Sequence, residues 1–213
     1  MTDWIQWHEG YNNPDSGLSQ RLGVVRRRIA EALDRSPAGP IRVASLCAGD
    51  GRDLLGVLQN HPRAGDVSGR LVELDQRLAE RARLSAPAAI EVLCSDAGTS
   101  DAYEGIVPVN LLLCCGVFGN ITEADIQNTI DSWSMLCASE ATIIWTRHTR
   151  EPDLTPQIRQ WVREAGFEEL SFDGGNKKYG VGVARMVRAG KPYRKGVHFF
   201  SFVPEKRAHS LDQ

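Results

Sequence analysis

The stretch "IRVASLCAGDGRDLL", residues 41–55, decides the architecture. Six β-favouring, mostly apolar residues (41–46) run directly into a loop carrying Gly49 and Gly51. A helical pattern follows, from about Arg52 to Gln59, and stops near Pro62. A strand, a glycine turn and a helix in this order open a βαβ unit. Glycines in such a turn let the backbone approach a ligand closely, because no Cβ stands in the way.

Working outward, the same alternation continues. Upstream, Leu18, Leu22, Val25, Ile29, Ala32 and Leu33 recur at helical spacing, and "SPAGP" (36–40) ends that helix. Downstream, strands are expected over 69–74, 90–94, 109–115 and 141–146. A helix is expected from Gln76 to Leu84, capped by Asp75. Thr122 and Asp125 form a relaxed capping box for a helix reaching about Cys137. Thr155 and Pro156 open another helix, which Gly166 closes. Residues 167–172 and 179–187, joined through "GGN" (174–176), read as a hairpin, and 197–203 as one further strand. The expected fold is α/β: a three-layer sandwich around a mostly parallel, seven-stranded Rossmann-like sheet with an antiparallel C-terminal hairpin. Residues 1–40 would form a helical cap on a domain spanning 41–213. Ligands of such sheets sit beyond the carboxyl ends of the strands, at the switch point.

Composition narrows the function. The 213 residues are 42% apolar and 24% charged, with a net charge of −2, so no broad positive surface for nucleic acid or anionic membranes is expected. No apolar run approaches the roughly 18 residues of a spanning helix, and "MTDWIQWHEG" does not resemble a secretory signal. The five cysteines, Cys47, Cys94, Cys114, Cys115 and Cys137, are odd in number and lack a CxxC pair. They read as reduced cysteines of a cytoplasmic protein, with no metal site.

Three ligands suit a glycine loop after a strand. A nucleoside triphosphate needs a P-loop lysine, which is absent here. A dinucleotide needs a small third residue, where this chain has Leu54, although an acid about 20 positions on is present as Glu73. The third ligand has no phosphate and needs no basic residue. "SLCAGDGRDL" (45–54) resembles the first motif of class I S-adenosylmethionine-dependent methyltransferases, with Ser45 in place of the usual acid and Cys47 in place of the first glycine. "LVELD" (71–75), "LCSDAG" (93–98) and "LLLCCGVFGN" (111–120) resemble the second, third and fourth motifs, in order, each after an expected strand. The arrangement is similar to small actinobacterial-type members of unassigned substrate.

That resemblance implies a cofactor site. Glu73 would accept from the ribose hydroxyls, Asp96 from the adenine amino group, and the Ala97 N–H would reach a ring nitrogen. Cys47, Ala48, Gly49, Gly51 and Asp53 would line the loop, with Cys115, Gly116 and Asn120 at the methionine end. Tyr11 would bond the cofactor carboxylate. S-adenosylhomocysteine would be the product. Plainer roles stand beside these: a surface acid for Glu73, turn chemistry for Asp96, core packing for Cys114 and Cys115.

"WTRHTREPD" (145–153) should emerge at the same sheet edge. His148 suits a general base, since imidazole titrates near neutrality, and Arg147 suits an acidic substrate group. Trp4, Trp7, His8 and Tyr11 could close over cofactor and substrate, with cation–π attraction to a sulfonium. "RRR" (26–28) falls largely on the wet side of its helix. The expected activity is methyl transfer from S-adenosylmethionine to a small-molecule acceptor. The rivals are a non-catalytic cofactor-binding or regulatory protein, an NAD-dependent oxidoreductase, and an RNA methyltransferase, which would need a basic stripe beside the pocket.

Overall fold

The computed structural model describes residues 10–175 and 177–203. Seven strands form one sheet: β1 (Ile41–Leu46), β2 (Val67–Glu73), β3 (Ile90–Cys94), β4 (Val109–Cys114), β5 (Cys137–His148), β6 (Phe167–Asp173) and β7 (Tyr179–Met186). Their order is β3-β2-β1-β4-β5-β7-β6. The first five are parallel, and β7 lies antiparallel between β5 and β6. The chain reverses its direction of winding between β1 and β4, so a crevice opens there beyond the strand ends. The mostly parallel seven-stranded sheet with its antiparallel C-terminal pair is the one expected from the sequence.

Five helices flank it: α1 (Gly17–Arg35), α2 (Leu54–Leu58), α3 (Gln76–Ser85), α4 (Glu123–Ser132) and α5 (Thr155–Glu164). Their starts follow the sequence chemistry. Ser16 accepts from Ser19 N–H at 3.1 Å to cap α1, and Thr122 accepts from Asp125 N–H at 3.1 Å to cap α4. Asp75 caps α3 through the Arg77 and Leu78 amides. The apolar stripe of α1, with Val25, Ile29 and Leu33, packs with α2 against Ile41, Val43, Leu111 and Leu113 on one face of the sheet. On the other face α4 and α5 bury Ile126, Ile130, Ile158 and Val162 against Leu112, Ile143 and Trp145. Phe118 and Trp133 stack there with ring centroids 5.8 Å apart.

Two expectations are corrected. The helix expected to reach Cys137 ends at Ser132, and a short 3-10 turn (Trp133–Met135) leads into β5, which begins at Cys137. A left-handed Glu140 (φ 63°) and a shift of register opposite Val109 and Leu111 accommodate the extra length of β5. Residues 197–203 do not join the sheet. They make only isolated bridges, Thr99 with His198 and Ile121 with Phe202. The cause lies in the β3–β4 connection, whose regular structure is one four-residue 3-10 helix (Ser100–Tyr103). That leaves apolar surface bare, and consecutive Phe199 and Phe200, both 1% exposed, cover it. This segment is therefore a strap across the sheet's edge and not a strand of it.

Candidate functional site

The glycine loop is shaped by three left-handed residues. Cys47, Gly49 and Gly51 have φ of 50°, 61° and 71°. Left-handed backbone is natural for glycine and strained for cysteine, by about 1–2 kcal/mol. The turn is closed by Ala48 N–H to the Val72 carbonyl and Gly51 N–H to the Ala48 carbonyl, both at 2.9 Å. Arg26 clamps it from α1, donating to the Arg52 carbonyl at 2.9 and 2.6 Å. Ser45, at the place of the family's usual acid, is buried at 1% exposure. Asp53 accepts from Leu54 N–H at 2.7 Å and caps α2, and burial pushes its carboxyl above the usual range. Leu54 is fully buried, where a dinucleotide loop wants a small residue.

Glu73 ends β2 beside this loop. One carboxylate oxygen accepts from Gly49 N–H at 2.8 Å, the other from Asp75 N–H at 2.8 Å. The side chain thereby fixes the loop, and each oxygen keeps a further lone pair for a ligand. Only 8% of Glu73 is exposed. Asp96 is exposed after β3 and accepts from Gly98 N–H at 2.8 Å. Burial first, then the charges of Glu73 and Asp96, push the Cys47 thiol well above its usual range. Cys47 therefore stays a neutral thiol, facing two carboxylates that address one space. Leu74, beside Glu73, is 65% exposed, an apolar side chain presented at the same edge.

The strap is tied to this edge. Phe199 N–H donates to the Gly98 carbonyl at 2.7 Å, and Val203 N–H to the Asn120 carbonyl at 3.0 Å. A Cβ on Gly98 would lie 2.3 Å from the Phe200 carbonyl oxygen, so only glycine permits this approach. Ala97 is buried, and its carbonyl accepts from Tyr103 Oη at 2.9 Å.

Across the loop, Tyr11, Arg21, Cys115 and Gly116 gather. Arg21 Nη2 donates to Tyr11 Oη at 3.1 Å, and the Arg52 guanidinium lies 4.5 Å over the Tyr11 ring. Burial pushes the Tyr11 phenol up, which keeps it a donor at neutral pH. Burial, reinforced by Asp53 and opposed by Arg21, pushes the Cys115 thiol up as well. Gly116 is left-handed (φ 80°), and a Cβ there would lie 3.9 Å from Arg21 Nη2. Gly116 N–H donates to Thr146 Oγ1 at 2.9 Å. Asn120 Nδ2 donates to the Gly116 carbonyl at 2.8 Å, so its amide pins the loop after β4.

Arg147 and His148 end β5 under that same loop. Arg147 Nη1 donates to His148 Nε2. Burial first, then the positive charges of Arg147 and Arg150, lower the His148 pKa to about 4. Both features weigh against a general-base role for His148. Its ring is neutral at pH 7, but the basic nitrogen is already engaged, and a conjugate acid near 4 marks a weak base. The same shift predicts a pH effect. The unfolded chain takes up a proton near 6.5 that the folded chain refuses until about 4. His148 should therefore contribute stability fully above pH 6.5, lost as pH falls through that window. Urea unfolding from pH 4.5 to 7 should show a steeper fall for the wild type than for His148→Gln. Equal slopes would refute it.

The structure thus brings Cys47, Gly49, Glu73 and Asp96 to one edge, and Tyr11, Cys115 and Gly116 to its neighbour. Asp53 caps α2 and Asn120 pins the loop after β4. Trp4, Trp7 and His8 lie outside the described residues. Sequence reasoning missed Arg21, although its signal was legible: an arginine three after Leu18 and four before Val25, within the apolar stripe. It also missed Leu74 and Thr146. Arg26, Arg27 and Arg28 supply no basic stripe, since Arg26 holds the glycine loop while Arg27 and Arg28 pair with Asp173. Among the described residues no helix is long and apolar enough to cross a membrane, and no group of three or more His, Cys, Asp or Glu is placed to hold a metal ion.

No family model matches this chain, and no curated protein matches it. Solved structures do. A possible exported protein from Bordetella parapertussis is 20% identical, with a TM-score of 0.60, over 80% of this chain and 68% of its own. An O-methyltransferase family protein from Burkholderia thailandensis is 16% identical, with a TM-score of 0.59, over 78% of this chain and 57% of its own, so this chain spans little more than half of it. Magnesium protoporphyrin IX methyltransferase from Synechocystis PCC 6803, with bound S-adenosylmethionine, is 13% identical, with a TM-score of 0.65, over 87% of this chain and 91% of its own. At these identities the likeness is one of fold. The fold is the Rossmann-like fold of class I S-adenosylmethionine-dependent methyltransferases.

Proposed function

We propose that this protein transfers a methyl group from S-adenosylmethionine to a small-molecule acceptor. The observation that carries the proposal is the Glu73 carboxylate, bonded to Gly49 N–H and Asp75 N–H and still able to accept at both oxygens. An acceptor-only group at the end of β2, beside a lysine-free glycine loop, suits a ribose diol attached to a ligand without phosphates. The rest of the donor set fits. Asp96 and Ala97 would meet the adenine edge, and exposed Leu74 its face. Cys47, Ala48, Gly49 and Gly51 would line the passage between the two ends. Arg21 and Tyr11, with Cys115 and Gly116 beside them, would receive the methionine carboxylate.

Bound there, S-adenosylmethionine supplies an electrophilic methyl group on a cationic sulfur. The protein's own work is alignment of the acceptor and exclusion of water. With His148 engaged by Arg147, no strong base stands at the end of β5, and an acceptor that is already nucleophilic near neutral pH is favoured. The same observation favours a second reading, cofactor binding without transfer.

Calorimetry with S-adenosylhomocysteine and with NAD tests the cofactor. Heat of binding is expected from the first alone; binding of NAD alone would overturn the proposal. Transfer of a labelled methyl group to candidate acceptors then separates the enzyme from a binding protein.

A further inference from the structure

We infer that the acceptor carries a carboxylate and that Arg147, beneath the loop after β4, is the residue that holds it. This rests on the methyltransferase reading and names its substrate class.

Arg147 is 8% exposed, and its Nε is buried without a hydrogen-bond partner. Among the described residues, its guanidinium forms no ion pair with a carboxylate, and its contact is the neutral ring of His148. Asp153 attracts it, but that carboxylate accepts from Thr155 N–H at 2.9 Å instead. Elsewhere in the molecule other arginines have acids: Arg28 pairs with Asp173, Arg159 with Glu169, Arg70 with Glu91. A buried cation with no carboxylate in ion-pair contact is costly, because desolvation is not repaid by an ion pair. Burial accordingly penalises the charged form of Arg147, a cost a bound anion would offset.

The place matches. Arg147 is the penultimate residue of β5, paired with Gly180 of β7, over which Phe172 and Thr155 pack. Above it, Gly119 would carry a Cβ 3.5 Å from Arg147 Nη1 and from His148 Cδ2. The loop that holds Cys115 and Gly116 at the methionine end therefore also lies over the guanidinium. An anion there stands between the β4 and β5 ends, on the acceptor's side of the transferred group. One guanidinium matches one negative charge, and its planar fork suits a carboxylate bidentately. A phosphate dianion would leave a charge unmet.

The test uses the full chain with ¹⁵N-labelled arginine, with and without saturating S-adenosylhomocysteine. Formate and benzoate are titrated against formamide and benzamide, their neutral counterparts. Both acids are expected to shift the Arg147 Nε–H resonance saturably, and the amides are not. Calorimetric affinity for benzoate should fall at least tenfold in Arg147→Gln and less in Arg147→Lys, with S-adenosylhomocysteine affinity within twofold of wild type in both. An Nε–H signal unmoved by either acid, or moved equally by the amides, overturns the inference without needing a variant. Acid binding without S-adenosylhomocysteine binding sinks the cofactor reading and leaves the anion site standing. The opposite pattern does the reverse.

Discussion

Glu73→Ala is expected to weaken S-adenosylhomocysteine binding at least a hundredfold. In the proposed complex this carboxylate accepts from both ribose hydroxyls. Hydrogen bonds to a charged acceptor contribute about 1.5–3 kcal/mol each, so losing two corresponds to two or more decades in Kd. Part of the loss is indirect. Glu73 accepts from Gly49 N–H and Asp75 N–H, and alanine leaves both amides without that acceptor. The glycine loop would then be held to β2 mainly by Ala48 N–H on the Val72 carbonyl. Glu73→Gln separates the two contributions. It keeps the volume, but its amide NH₂ faces an N–H donor and cannot accept from a hydroxyl. Binding should fall at least about tenfold, on the same energy scale, with little change in the circular dichroism spectrum. Calorimetry well below the unfolding midpoint reads this directly. Affinity within threefold of wild type in both variants would remove the central residue of the proposed site.

Gly69→Ala should produce the largest loss of stability. Gly69 lies in β2 opposite Val43 of β1, inside the sheet between β3 and β1. A Cβ at this position would lie 1.9 Å from the Val43 carbonyl oxygen and 2.8 Å from its carbonyl carbon. These are backbone atoms of a paired strand, so no rotamer change relieves the contact, and strands must separate. Overpacking of a core commonly costs 1–3 kcal/mol. A backbone collision should reach at least the upper end, about 3 kcal/mol, or a fall of roughly 6–12 °C in Tm for a chain of this size. Gly65→Ala provides the comparison. Nothing lies within 4 Å of its Cβ position, so thermal unfolding should be nearly unchanged. A Gly69→Ala midpoint within 2 °C of wild type would show that β1 and β2 are not paired in this register.

Much of the site was legible because it depends on short-range chemistry. Glu73 ends β2 and Asp96 lies two residues beyond β3, so an order of strands in the sequence already lines them up along one edge. Gly49 and Gly51 marked a glycine loop after a strand, and the structure makes both residues left-handed. Cys47 was harder, since nothing in its residue type signals the positive φ it adopts. His148 shows the limit most clearly. Its residue type suggested a base, but its protonation is governed by burial and by two arginines, one of them adjacent in sequence and folded onto its ring. Adjacent strand residues ordinarily point to opposite faces, so sequence spacing argued against that contact. Arg21 reaches the site from a helix in front of β1, and its role depends on how α1 docks.

The strap follows the same logic. "VHFFSFV" (197–203) has a strand's composition and was expected as a strand, yet it makes only isolated bridges. Its partner was decided elsewhere, by the short connection between β3 and β4, which leaves a face for Phe199 and Phe200 to cover. Composition and periodicity by themselves determined the alternation of strands and helices, the parallel sheet, the glycine turn and the acids at the strand ends, because each is written in residues a few positions apart. Tertiary structure alone decided which charges are paired, which thiols and imidazoles are buried, and what lies over the sheet's edge. Those properties arise from desolvation and from contacts between residues distant in the chain, and no local pattern encodes them.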